Sequence, residues 1–120
     1  MSVKKIRLEL ARDRDFPNGS AVHGYILRAP LTPEGHIDAE GWRQARESCT
    51  VTRFWEGEAE ETGHLRHTRG GWAFHYDIEG DPEDDETGYK FESHVFKEGE
   101  YVSVREHDGM LRTFRVVEIR

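Results

Sequence analysis

The 120-residue chain has a single cysteine, Cys49, so no internal disulfide can form. A reducing compartment fits that usage, and the cytoplasm is the expected location. Long apolar runs are missing as well. Nothing approaches the roughly 20 residues of a membrane span. The start, MSVKKIRLEL, alternates charged and apolar residues and lacks the apolar stretch of a signal peptide. No GxSxG, P-loop, GxGxxG, HxH, HExxH or CxxC spacing occurs, which removes the usual sequence grounds for a nucleophile elbow, a phosphate cradle, a dinucleotide site or a zinc centre. Lysine is scarce, with four against 13 arginines. Arginine makes planar, bidentate contacts to carboxylates and phosphates, although a GC-rich genome gives the same bias.

What is present is polar and aromatic. Hydrophobic residues make up 35%, charged residues 34% and aromatics 11%, which implies a thin core of aromatic and β-branched side chains in one domain spanning 1–120. The net charge of −7 is local. Residues 77–86, DIEGDPEDDE, hold seven acids and no base, and the rest of the chain balances at 17 of each sign. One acidic field of this kind argues against a nucleic-acid partner, and no membrane partner is expected; a protein or a small molecule is.

The dominant hydrophobic period is two residues, the signature of half-buried strands. In KIRLEL, Ile6, Leu8 and Leu10 alternate with Lys5, Arg7 and Glu9. Pro17, Asn18 and Gly19 supply a turn into AVHGYILRA, where Gly24 marks a candidate bulge. One short helix is expected over about 39–48, with Asp38 as N-cap and Ile37 and Trp42 as a hydrophobic staple. Further strands are expected in CTVTRFW, GHLRHT, WAFHYDI, YKFESHVF (Tyr89, Phe91 and Val95 inward), YVSVRE and LRTFRVVEI. For the last pair, apolar matching favours a three-residue loop, Asp108–Met110, that sets Val104 against Phe114, Val102 against Val116 and Glu106 against Arg112. About eight short strands with turn signals every 8 to 12 residues predict a mainly β, antiparallel barrel or sandwich with one short helix.

Chemistry concentrates on the hairpin HLRHTRGGWAFHYD. Two registers are open: Leu65 faces Phe74 and His64 faces His75, or Leu65 faces Tyr76 and Arg66 faces His75. Both put His64, Arg66, His75 and Asp77 on the side opposite Trp72, Phe74 and Tyr76. Two imidazoles, a guanidinium and a carboxylate can bind an anion, hold a divalent metal through His64, His75 and Asp77, or do acid–base work. The plainer alternative is a solvated face. The small Ala73 leaves room for a ligand there. His67 falls on the apolar side in either register and reads as a packed, hydrogen-bonded residue. Asp77, Glu79 and Asp81 have the alternate spacing of calcium ligands, but Pro82 stands where an EF-hand loop requires glycine, so a solvated acidic loop is the simpler reading. Cys49 shares parity with Val51 and reads as a core thiol. The aromatics could line a cavity, but eight strands are about the number whose own side chains fill a barrel.

The segments GHIDAEGWRQARESCTVTRFWEGE, GHLRHTRGGWAFHYD and FKEGEYVSVREHDGMLRTFRVVEI resemble those of small hypothetical proteins of bacterial genomes, across most of the chain. The resemblance implies no assigned activity and lends no catalytic residues. The expected function is a non-enzymatic binding module for a protein partner or small ligand, without an organic cofactor. The alternative is a metal- or anion-binding protein, or an enzyme, built on the 63–78 hairpin.

Overall fold

The two-residue alternation builds eight antiparallel strands, each paired with its neighbours in sequence: β1 (Val3–Leu10), β2 (Ser20–Pro30), β3 (Thr50–Trp55), β4 (Glu61–Thr68), β5 (Gly71–Tyr76), β6 (Glu86–Tyr89), β7 (Tyr101–Arg105) and β8 (Leu111–Ile119). The computed structural model describes residues 2–68, 71–76, 86–89, 94–106 and 108–120, with the backbone alone at 86–89. Between barrel and sandwich, the pairing of β1 decides. Leu8 sits opposite Tyr25 of β2 on one side and Val116 of β8 on the other, so the sheet closes on itself.

Inward positions follow parity. Ile6, Leu8 and Leu10 of β1 are buried, and Tyr25, Phe74 and Phe114 meet in the middle of the barrel, with ring centroids 5.1 and 5.2 Å from Tyr25. Trp72 and Phe74 are therefore core, Tyr76 packs against it part-buried, and Phe91 lies outside the described residues. With the interior filled, any ligand site is confined to the two ends or the outer wall. Gly24 stands beside the one irregularity of the β1–β2 ladder, where the register jumps from Glu9–Gly24 to Leu10–Ser20. A Cβ at Gly24 would lie 1.9 Å from the Leu8 carbonyl oxygen, so the close approach of the two strands needs glycine.

One end is closed by α1 (Ala39–Gln44). Asp38 caps it as expected, its carboxylate accepting from the amides of Glu40 and Gly41 at 3.0 and 3.1 Å. Trp42 drops onto the barrel mouth, donates its indole N–H to the Leu65 carbonyl at 2.9 Å and meets Trp72 edge-on at 5.5 Å. The helix stops at Gln44, short of the expected 48. Ala45 leaves the helical region at φ −131°, and Arg46–Ser48 form a single 3₁₀ turn. Burial of Cys49 and its carbonyl bond from the Leu65 amide, at 2.9 Å, draw the chain back into the sheet. Among the described residues, no helix is long and apolar enough to cross a membrane.

Two strand expectations need correction. In the β7–β8 hairpin, Glu106 N–H donates to Met110 O at 3.0 Å and Gly109 N–H to Glu106 O at 2.8 Å. The loop is thus 107–109, with Gly109 last at φ 83°, and Val102 pairs with Phe114 and Val104 with Arg112. A three-residue hairpin loop wants its left-handed residue at the end, which moves the loop back by one and the ladder by two. Of the expected strand 89–96, Tyr89 closes β6 (Glu86–Tyr89), and residues 90–93 lie outside the described residues. Residues 94–97 are irregular, and Phe96, not Val95, is the buried side chain. Its amide is held by the Gly35 carbonyl at 2.7 Å, outside the ladders.

Candidate functional site

The β4–β5 hairpin adopts the first of its two registers, with His64 opposite His75, Leu65 opposite Phe74 and Arg66 opposite Ala73. Leu65 and Phe74 are dry, while His64 and His75 are half-buried and Arg66 is exposed on the outer wall. Three of the four expected site residues therefore share one face. Asp77 and the rest of the acidic run through Asp85 lie outside the described residues, and with them the third metal ligand and the calcium reading. Among the described residues, no group of three His, Cys, Asp or Glu side chains could hold a metal ion.

The hairpin contributes to a cleft that its own residues do not reveal. Trp42, Arg46 and Glu47 from the helical segment and His64 to His67 from β4 enclose about 340 Å³ of open space beside the capped end of the barrel. The Arg46 guanidinium lies over the Trp42 ring at 4.6 Å. His67 stacks on Trp72, with centroids 4.1 Å apart and planes 19° from parallel, and stands edge-on to Trp42 at 5.8 Å. His67 is thus on the apolar side, as its parity implies, but at the exposed rim of the strand. Neither the Arg46 nor the His67 side chain makes a hydrogen bond or ion pair among the described residues, so the ring contacts leave their N–H edges available. Hydrophobic periodicity marked Trp42 as a staple only, and nothing in the local sequence of Arg46 places it against β4.

The opposite end of the barrel is charged. Glu106 is buried and accepts a 2.5 Å hydrogen bond from the Tyr25 hydroxyl. Arg53 Nε lies 3.4 Å from its Oε2, and Arg112 Nε lies 3.2 Å from its Oε1. The expected Glu106–Arg112 contact is therefore present, reached diagonally because Arg112 pairs with Val104. Both arginines continue outward: Arg53 to Glu58 at 3.1 Å and Glu61 at 3.9 Å, Arg112 to Asp13 at 2.9 Å and Asp15 at 3.2 Å. Trp55 receives the Arg53 guanidinium on its face at 4.4 Å, and Phe16 packs against His23 at 4.5 Å.

Environment tunes three groups. Burial pushes the Asp13 carboxyl up, but the Asp15 amide and the Arg112 guanidinium outweigh it and hold Asp13 below the ordinary carboxylate range. Burial opposes charge on Arg112, and Asp13 and Asp15 overcome that and raise it further. Burial alone raises the Cys49 thiol, as suits an inert core cysteine rather than a nucleophile. Comparison of the chain with protein-family models, with curated proteins and with solved structures returns no match, so its chemistry is read from its own side chains.

Proposed function

We propose that this protein is a non-enzymatic cytoplasmic binding module whose ligand is a small molecule bearing an anionic group, held in the cleft between α1 and β4. The observation that carries the reading is the placement of Arg46. Stacking on Trp42 uses the π face of its guanidinium and leaves the in-plane N–H fork for an oxyanion, with His67 fixed beside it by two tryptophans. Arg66 on the facing wall adds to the positive field, His64 lines the cleft next to it, and the exposed Glu47 opposes the field at the margin. These groups hold and orient an anion; the cleft contains no thiol or hydroxyl nucleophile among its lining residues. The large apolar side chains exposed among the described residues, Val22, Tyr101, Met110 and Leu111, are spread over β2, β7 and the β7–β8 hairpin, which supports a small molecule over a protein partner. The lone buried cysteine fits a reducing compartment.

Inorganic phosphate is the direct probe, titrated calorimetrically at low ionic strength. Arg46→Gln removes a charge-assisted contact worth about 1.5–3 kcal/mol, so affinity should fall roughly tenfold or more. His67→Gln should weaken binding in the same direction. Wild-type protein that does not bind phosphate, or an Arg46→Gln variant that binds it equally well, overturns the proposal.

A further inference from the structure

The end of the barrel remote from α1 carries a site of a different kind, already filled by the chain itself. We infer that Asp13 and Asp15, on the loop between β1 and β2, occupy on Arg112 the seat of a small dicarboxylate, so that this loop is a displaceable lid rather than a permanent part of the barrel.

The reasoning starts from how poorly the loop satisfies Arg112. The side chain is 91% buried, and its Nε and Nη1 have no aligned hydrogen-bond acceptor among the described residues, although Glu106 Oε1 and Asp13 Oδ2 lie 3.2 and 2.9 Å away. Only the Nη2 contact to Asp15, at 3.2 Å, has hydrogen-bond geometry. Buried guanidinium N–H groups are normally all paired, and a carboxylate normally meets them as a parallel two-bond fork. Asp13 supplies the charge of a ligand without its fit.

The inner side of the seat is fixed by other means. Glu106, braced by Tyr25 and Arg53, holds Arg112 from within the barrel. The loop is organised mainly by bonds to itself: Asp13 and Phe16 exchange backbone hydrogen bonds at 2.9 and 3.1 Å, and the Asp15 amide donates to the Asp13 carboxylate at 2.9 Å. Its apolar anchor is Phe16, which is only part-buried against His23 and Trp55. It can therefore lift as a unit without breaking a ladder. Two carboxylates leave one guanidinium when it does, and a single molecule with two carboxylates replaces both, where a monocarboxylate replaces one. Glu58 and Glu61 flank Arg53 and repel an anion there, which restricts the seat to Arg112. Because the tethered loop competes at an effective concentration on the order of millimolar, the wild-type site responds only to abundant ligand.

Succinate is the probe, with acetate at matched ionic strength as control, followed by calorimetry and thermal shift. All variants carry Arg46→Gln with His67→Gln, which together take both proposed donors from the α1–β4 cleft as a second anion seat. Asp13→Asn with Asp15→Asn should bind succinate at least tenfold more tightly than the parent, and Arg112→Gln in that background should abolish binding. Should the double variant not fold, Asp15→Asn alone, whose side chain is 52% exposed, should still bind about threefold more tightly. Equal affinity with and without the loop carboxylates, equal response to acetate, or binding that survives Arg112→Gln overturns the inference.

Discussion

Glu106 joins two guanidiniums and a phenol inside a layer that is mostly apolar. Its cost is felt through its partners. Replaced by alanine, it leaves the two buried guanidiniums with only their outer carboxylates, Glu58 and Glu61 on Arg53 and Asp13 and Asp15 on Arg112, and breaking a buried ion pair from one side costs up to about 3–5 kcal/mol. Glu106→Ala should therefore lower the unfolding free energy, obtained from denaturant midpoints, by up to that amount, whereas alanine at the exposed Glu47 should change it by less than about 0.5 kcal/mol. A Glu106→Ala midpoint within error of the parent would mean that the arginines find other acceptors. Arg46 makes the contrasting point at the same scale: its value lies in donors left over after stacking, and truncating it should spare the fold.

At the scale of elements, α1 sets the cleft. A helix of six residues has little stability of its own, so its cap and its one buried tryptophan decide where Arg46 sits. Asp38→Ala should cost about 1 kcal/mol of stability and weaken phosphate binding although Asp38 lies outside the cleft. Unchanged affinity would show that Arg46 is positioned independently of the cap. Elements also show how far the sequence could be read. Alternation places Trp72 and Phe74 inward and His64, Arg66 and His75 together on the outer face, because a strand with one dry face admits no odd slip, but it leaves two registers open for that hairpin, of which the structure takes the one with His64 opposite His75. It is blind to an even slip, and that is why the β7–β8 ladder differs from expectation by two residues while every side chain keeps its face. β6 begins inside the acidic run, where no apolar pattern marks a strand. Arg53, Glu106 and Arg112 lie on β3, the β7–β8 turn and β8, and only closure of the sheet brings the first to the other two. Periodicity reports which way a side chain points, not which distant one it meets.

For the whole molecule, acid tests the tie between the lid and the barrel. Asp13 has a folded-state pKa below its unfolded one, so its contribution to stability is complete above the ordinary carboxylate pKa of about 4 and is lost as pH falls through the depressed value. Asp13→Asn should lower stability at neutral pH and flatten the acid limb below the ordinary carboxylate pKa of about 4, measured as denaturant midpoints. An acid limb as steep as the parent's would place the titrating carboxylate elsewhere. The closed pairing order has a separate consequence for association. Because β1 is hydrogen-bonded on both flanks, to β2 and to β8, the pairing order has no edge strand: every strand has a neighbour on each side along part of its length. An extended peptide, or a second copy of the chain, therefore finds no full-length edge among the described strands to extend the sheet by backbone pairing, and fibril-like stacking would first have to open the ring.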